Sequence, residues 1–354
     1  TGEMYYSLVG SDTFKFTVNG RTVAQQKEPA RGFGWFRSTT PVTTFPVVKG
    51  QTYNIQVDYT KGEQGFAFLT FSLTERNLAG FEALAQRVKN ADAIIVVGGI
   101  SARLEGEEMP VSYDGFSGGD RTKIELPDVQ KDLLAAMHNT GKPVILVNCS
   151  GSAMGFGDIE NQYDALIQAW YGGQAAGLAV ADVLFGNYNP AGRLPVTFYK
   201  STDQLPDFEN YDMEGRTYRY FRGEPLYAFG YGLSYTTFEY GDAKLSRQSV
   251  KAGRGVKITI PVTNTGKYDG DEVVQVYVKS LDNPDAPIKS LKGFRRINIA
   301  AGTKTNVTIE LDSKAFEFYD ESVDELAPRA GKYQIMYGSS SNDADLKVLD
   351  FEVI

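Results

Sequence analysis

Short apolar runs that alternate with helical segments in the middle of the chain limit its fold most strongly. Ala93–Val97 and Pro143–Val147 are continuous apolar runs, which indicate strands buried on both faces. Helical periodicity runs between them over Pro127–Thr140, and the pattern predicts a third strand at Ala165–Trp170 and a helix at Gln174–Leu184. The alternation predicts an α/β layer with a mostly parallel sheet, which binds ligands at the carboxyl ends of its strands.

Regions with β-strand patterning flank this layer on both sides. Residues 1–75 contain alternating apolar segments and an Asn19-Gly20 pair, a strong hairpin signal because both residues tolerate positive φ. Residues 236–354 contain strands at the spacing of a β-sandwich. We therefore predict three domains, namely a β-domain over 1–75, an α/β domain over 76–235 and a β-sandwich over 236–354.

Composition excludes several classes of function. The 354 residues carry 36 Lys and Arg against 44 Asp and Glu, a net charge of −8 without the basic footprint of a nucleic-acid binder. No apolar run approaches the roughly 20 residues of a membrane helix. Cys149 and His138 are the only residues of their types, which excludes an internal disulfide and a multi-histidine metal site. We expect no metal and no cofactor.

Three carboxylates follow the first buried strand. Glu105, Glu107 and Glu108 lie within four residues on a glycine-containing loop. Like charges this close raise one another's proton affinity, and a glutamic acid that stays protonated near neutral pH is what acid-catalysed cleavage of a glycosidic bond requires. A solvated acidic loop is the alternative interpretation.

Two neighbouring pairs have equally open interpretations. Asp120-Arg121 is either an ion pair that fixes this loop or a site where the arginine binds a sugar hydroxyl. Trp170-Tyr171 ends the third strand at the same sheet edge, where an aromatic face either stacks on a pyranose ring or packs in the core.

Five stretches between about Ala91 and Phe238 have a distinctive sequence. The first is Leu-Glu-Gly-Glu-Glu-Met-Pro with the following Gly-Gly-Asp-Arg. The other four are Asn-Cys-Ser-Gly-Ser-Ala (148–153), Gln-Ala-Trp-Tyr-Gly-Gly-Gln (168–174), Gly-Arg-Leu-Pro-Val-Thr-Phe (192–198) and Pro-Leu-Tyr-Ala-Phe-Gly-Tyr-Gly-Leu-Ser-Tyr-Thr-Thr-Phe (225–238). Together they resemble glycoside hydrolase family 3, in particular its β-xylosidases and β-glucosidases, and the first stretch resembles the family's acid/base loop.

The resemblance implies a domain type for each region. Residues 1–75 resemble the later strands of a protective-antigen-type β-domain, residues 76–235 the α/β sandwich domain, and residues 236–354 a fibronectin-III-like domain. The family's nucleophile is an aspartate on an N-terminal (β/α)8 barrel, which this sequence does not contain. We therefore expect the chain to be the C-terminal portion of a longer enzyme, with that barrel portion as its partner.

The implied activity is that of a retaining exo-β-glycosidase in xylan degradation and carbohydrate metabolism. It would release a terminal sugar from an oligosaccharide or β-glycoside. The Glu-Gly-Glu-Glu-Met-Pro-Val form of the loop and Gly-Arg-Thr-Tyr-Arg-Tyr at 215–220 favour β-xylosidase over β-glucosidase. The family suggests a periplasmic or secreted bacterial protein. A non-catalytic carbohydrate-binding or adhesion module is the alternative function.

Aligned on the family's loop, Glu107 takes the acid/base role, and a slip of the alignment would move that role to Glu105 or Glu108. Trp170, Arg121 and Asp120 are the candidate substrate-binding residues.

Overall fold

The computed structural model describes residues 2–28, 43–62, 67–75, 80–102, 104–105, 112–113, 115–118 and 120–354. These form two compact units, one of Thr1–Ser152 with Ile159–Tyr171 and one of Ala153–Asp158 with Gly172–Ile354. None of the helices in the described part of the chain has the length and apolar character needed to span a bilayer.

The first unit begins with six strands: β1 (Gly2–Gly10), β2 (Thr13–Val18), β3 (Arg21–Gln26), β4 (Thr43–Val47), β5 (Ile55–Thr60) and β6 (Leu69–Glu75). They form two antiparallel three-stranded sheets, ordered β4-β1-β6 and β3-β2-β5. The predicted hairpin turn is confirmed, because Asn19 and Gly20 connect β2 to β3 with φ values of 49° and 79°.

Aromatic side chains form the core of this β-region. Tyr6, Phe14, Phe16 and Phe45 are all buried, and the rings of Tyr6 and Phe16 lie 4.7 Å apart between centroids. On β2, Phe14 and Phe16 are buried while Lys15 between them is exposed, so the aromatic side chains of this strand lie on its inner face.

The second part of this unit is the predicted α/β layer. Parallel strands β7 (Ile94–Gly99), β11 (Val144–Cys149) and β12 (Ala165–Gln168) form a sheet in the order β12-β11-β7. Helix α2 (Asp128–His138) packs against β7 and β11. The remaining elements are α1 (Glu82–Val88), β8 (Ser112–Tyr113), β9 (Phe116–Ser117), β10 (Asp120–Arg121) and a 3₁₀ turn at Glu160–Gln162.

Strand β7 differs from the prediction in one respect. The sequence predicts that both faces of this strand are buried. In the structure Ile94 and Val96 are buried, but Ile95 and Val97 are 45% and 69% exposed. The apolar run predicts burial on both faces only where two layers cover the sheet. Here the described residues cover the face of Ile94 and Val96 and leave the other open.

The second unit contains two sheets of a β-sandwich and the segment that leads to it. Helix α3 (Ala176–Leu184) precedes α4 (Thr217–Tyr220). The strands are β13 (Phe238–Tyr240), β14 (Lys244–Leu245), β15 (Ser249–Val250), β16 (Val256–Asn264), β17 (Gly270–Ser280), β18 (Ser290–Ile299), β19 (Lys304–Leu311), β20 (Glu317–Asp320), β21 (Glu325–Pro328), β22 (Gly331–Gly338) and β23 (Leu346–Val353). The five-stranded sheet has the order β15-β23-β22-β17-β18, and in the other sheet β16 pairs with β13, β14 and β19. Short 3₁₀ helices lie at Thr202–Gln204, Ser313–Phe316 and Asp343–Asp345.

In the sandwich core, every second residue along a strand is buried, as strand β16 shows. Val256, Ile258, Ile260 and Val262 on β16 are all buried, and the residues between them are more exposed. They belong to one apolar cluster with the buried residues of β17, so the predicted all-β C-terminal fold is confirmed.

A buried ion pair joins the Gly-Arg-Leu-Pro segment (192–195) to this sandwich. Arg193 Nη2 donates to Glu272 Oε2 at 2.6 Å, and the two side chains are 8% and 2% exposed. The Tyr240 hydroxyl donates to Glu272 Oε1 at 2.6 Å. Burial, together with the Glu272 carboxylate beside it, raises the pKa of Tyr240 well above its usual range, so this phenol remains a hydrogen-bond donor.

We predict that Glu272→Ala lowers the free energy of unfolding by about 3–5 kcal/mol, because it leaves the Arg193 charge buried without its partner. Urea titration of the purified variant measures this loss. The control is Glu310→Ala, which breaks a pair with Lys257 whose side chains are 68% and 58% exposed and should cost about 0–1 kcal/mol. Equal losses in the two variants would contradict the prediction.

Candidate active site

At its carboxyl end, strand β7 comes very close to the backbone of β11, where Gly99 lies opposite Cys149. Pairing of β7 with β11 continues to Gly99 opposite Cys149, and the Ile100 amide then donates to the Cys149 carbonyl at 2.9 Å. Gly99 has a φ of 116°, and a Cβ atom there would lie 2.0 Å from the Cys149 carbonyl oxygen. Only glycine fits, so the acidic loop leaves the sheet at a fixed point.

Helix α2 holds the same strand end through one amide side chain. Gln130 Oε1 accepts from the Gly99 amide at 2.8 Å, and Gln130 Nε2 donates to the Gly99 carbonyl at 2.6 Å. This two-point contact satisfies both backbone groups of Gly99 where the sheet pairing ends.

A polar cluster lies at the ends of β11 and β12. Asn148 Nδ2 donates to Gln168 Oε1 at 2.7 Å and to Ser150 Oγ at 3.0 Å. Ser150 Oγ in turn donates to the Ser152 carbonyl at 2.8 Å. Asn148 and Ser150 are fully buried, so the chain that leads to Ser152 is set by internal hydrogen bonds.

Of the three glutamates on the acidic loop, the loop that follows β7, Glu105 lies among the described residues. Its carboxylate contacts residues that follow β11 and β12. Ser152 Oγ, beyond β11, donates to Glu105 Oε1 at 2.7 Å. The Tyr171 hydroxyl, beyond β12, donates to Glu105 Oε2 at 2.9 Å. The loop after β7 is thus attached to the ends of the other two strands of the sheet.

Arg121 also contacts Ser152, the residue that donates to Glu105. Its Nη1 donates to Ser152 Oγ at 2.8 Å, its Nη2 to the Ile124 carbonyl at 2.6 Å and its Nε to the Lys123 carbonyl at 3.2 Å. Burial lowers the pKa of Arg121, and the Glu105 carboxylate nearby opposes that shift. These contacts favour the interpretation in which Arg121 fixes the loop, and its binding of a sugar stays a prediction.

Tyr171 is a donor across the whole physiological range. Tyr171 is 46% exposed, and its partial burial together with Glu105 as its hydrogen-bonded neighbour raises the pKa of Tyr171 to about 12. Its ring packs over Gly151, where a Cβ atom would lie 2.8 Å from a ring carbon and 3.3 Å from Glu105 Oε2. A glycine at position 151 therefore leaves room for the contact of Tyr171 with Glu105.

The other predicted site residues are placed as follows. Asp120 is exposed on β10, and Trp170 is half-buried just after β12 with a φ of 56°. Glu107 and Glu108 lie outside the described residues. Within the described ranges, no group of three or more His, Cys, Asp or Glu side chains is arranged to hold a metal ion.

Sequence reasoning missed Ser152 and Gln130 as parts of the site. Ser152 lies in the quoted Asn-Cys-Ser-Gly-Ser-Ala stretch, which was a usable signal. Gln130 is one polar residue among several on α2, and nothing in the periodicity distinguishes it.

Comparison with known families accounts for most of the chain. Residues 15–235 match the profile of the glycosyl hydrolase family 3 C-terminal domain, and residues 272–341 match a fibronectin type III-like domain. Both matches agree with the motifs and with the observed α/β layer and β-sandwich.

Curated relatives are named as β-xylosidases and β-glucosidases. A xylan 1,4-beta-xylosidase of Xylanibacter ruminicola is 46% identical over 349 residues, which cover 98% of this chain and 39% of that protein. A periplasmic beta-glucosidase of Salmonella typhimurium is 35% identical over 78% of this chain and 36% of its own length. The chain thus spans about two fifths of the length of these relatives.

A solved structure resembles the chain over its entire length. The beta-glucosidase of Kluyveromyces marxianus, in complex with glucose, has a TM-score of 0.78 and 30% identity, and the match covers 100% of this chain and 43% of that one. With the profile match over more than half of its residues, the chain belongs to glycoside hydrolase family 3, as its loop and strand-end motifs predicted.

Proposed function

We propose that this chain is the acid/base half of a retaining exo-β-glycosidase that removes a terminal sugar from β-linked oligosaccharides. The observation that carries the proposal is the attachment of the acidic loop to the edge of the parallel sheet through Glu105, Ser152 and Tyr171. Ligands bind at this edge in open α/β sheets. A solvated acidic loop would not need such attachments.

In the proposed mechanism Glu107 protonates the leaving oxygen while an aspartate outside this sequence attacks the anomeric carbon. Glu107 then removes a proton from the water that releases the sugar. This retaining scheme requires the two carboxyl groups to lie about 5–5.5 Å apart. Trp170 would stack on a sugar ring, and Arg121 and Asp120 would border the site.

We also propose the finer assignments that the resemblance suggested. Residues 1–75 would be part of a protective-antigen-type domain, which their two antiparallel sheets support, with domain boundaries after residues 75 and 235. The N-terminal barrel portion of the same enzyme would be the partner. A periplasmic or secreted location is supported by a relative named as periplasmic.

The acid/base assignment predicts a specific kinetic signature. Glu107→Ala in the full-length enzyme should lower kcat on substrates with poor leaving groups by about 10²–10⁴-fold, because these need protonation, and should affect activated aryl glycosides far less. Added azide should restore turnover and give a β-glycosyl azide, since a small anion needs no general base. If Glu107→Ala shows neither effect while Glu105→Ala or Glu108→Ala shows both, the assignment moves to that residue.

Substrate preference is a second prediction. The full-length enzyme should have a kcat/KM at least about tenfold higher on aryl β-xylosides than on aryl β-glucosides, since a pocket shaped for one substituent discriminates to about this degree. The loop sequence and the name of the relative at 46% identity support xylose. A ratio that favours glucose would reverse the preference and leave the mechanism intact.

The chain alone should be inactive. Recombinant residues 1–354, assayed on aryl β-xyloside and aryl β-glucoside, should show no turnover above background, because one carboxylic acid without the nucleophile cannot form a glycosyl-enzyme. Addition of the rest of the enzyme should restore activity. If the complete protein binds oligosaccharides but hydrolyses none, the non-catalytic binding module is the correct function.

A further inference from the structure

Both carboxylate oxygens of Glu105 accept hydrogen bonds from side chains that follow the other two strands of the sheet. Each of its two oxygens accepts a hydrogen bond from protein, one from Ser152 at 2.7 Å and one from Tyr171 at 2.9 Å. The side chain is half-buried between these partners. A group that must exchange a proton with substrate and then with water needs an oxygen directed to the substrate.

The partners of Glu105 are themselves fixed. Ser152 Oγ accepts from Arg121 Nη1 at 2.8 Å, so its own proton is directed to Glu105. The Tyr171 hydroxyl lies 2.8 Å from the Ile100 carbonyl as well, and its single proton is shared between that oxygen and Glu105. Because Ile100 begins the acidic loop, Tyr171 holds the loop both at its start and at Glu105.

We propose that Glu105 is a positioning residue that holds the loop so that Glu107, two residues further on, reaches the substrate. This inference rests on the proposed function. Glu107 follows Glu105 by two residues in the sequence, and two residues of chain span at most about 7 Å. The effect on rate is large, since a displacement of about 1 Å at a catalytic group can cost 10²-fold.

The contact between Tyr171 and Glu105 provides the test. In the full-length enzyme, Glu105→Gln and Tyr171→Phe should each lower kcat on a β-linked disaccharide by about 10–100-fold and change KM by less than about threefold. The double variant should lose less than the product of the two single losses, because both changes alter the contact of Tyr171 with Glu105. Glu321→Gln and Tyr268→Phe, at exposed positions, are the matched controls and should retain wild-type kinetics.

The pH profile separates positioning from proton transfer. The basic limb of kcat/KM against pH reports the acid of the free enzyme, so it should persist in Glu105→Gln at a lower plateau and disappear in Glu107→Gln. Loss of that limb in Glu105→Gln would make Glu105 the proton donor and overturn the inference. Wild-type kcat in both single variants, or fully multiplicative losses in the double variant, would overturn it as well.

A failure of the proposed function has a different result. In that case the unsubstituted full-length protein would turn over neither xylosides nor glucosides. In an active enzyme the variants of Glu105 and Tyr171 therefore test the inference by itself.

Discussion

The candidate site depends on the close backbone approach of Gly99 to Cys149. The 2.0 Å distance from a Cβ atom at position 99 to the Cys149 carbonyl oxygen means that no other residue type keeps this pairing to the end of β7. The chain continues from this pairing to Ile100, and Glu105 beyond it contacts Ser152 and Tyr171, which follow β11 and β12. Gln130 fixes the same point from α2, so an amide 31 residues along the chain sets the start of a functional loop.

The most specific family motifs have different physical roles. In Gly-Arg-Leu-Pro, Arg193 has a structural role, because its buried charge forms an ion pair with Glu272 of the sandwich. In Asn-Cys-Ser-Gly-Ser-Ala, Ser152 and Gly151 serve the site, one as a donor to Glu105 and the other by leaving space for the Tyr171 ring. A recognisable motif therefore identifies the family without saying which of its residues touch the substrate.

Much of the fold could be predicted because it depends on the order of apolar and polar residues within short segments. Apolar runs gave the positions of β7 and β11 to within two residues, and periodicity gave α2. The exposure of Ile95 and Val97 could not be predicted, since it depends on which layers cover the sheet. The contacts of Glu105 join residues 47 and 66 positions apart, and no periodicity encodes such distances. The spacing of the three glutamates predicts a site, but it does not predict that Glu105 contacts Ser152 and Tyr171.

The backbone at Trp170 connects the end of β12 to Tyr171, whose hydroxyl contacts Ile100 and Glu105. A φ of 56° places a bulky residue in the left-handed region, at a cost of order 1–3 kcal/mol. The Ala169 amide donates to the Asn148 carbonyl at 2.8 Å, which holds the chain to β11 up to this point. The left-handed turn then directs Tyr171 back over Gly151 to Ile100 and Glu105. Strain at one residue is thus offset by the contacts of the next, and those contacts hold the loop on which the proposed chemistry depends.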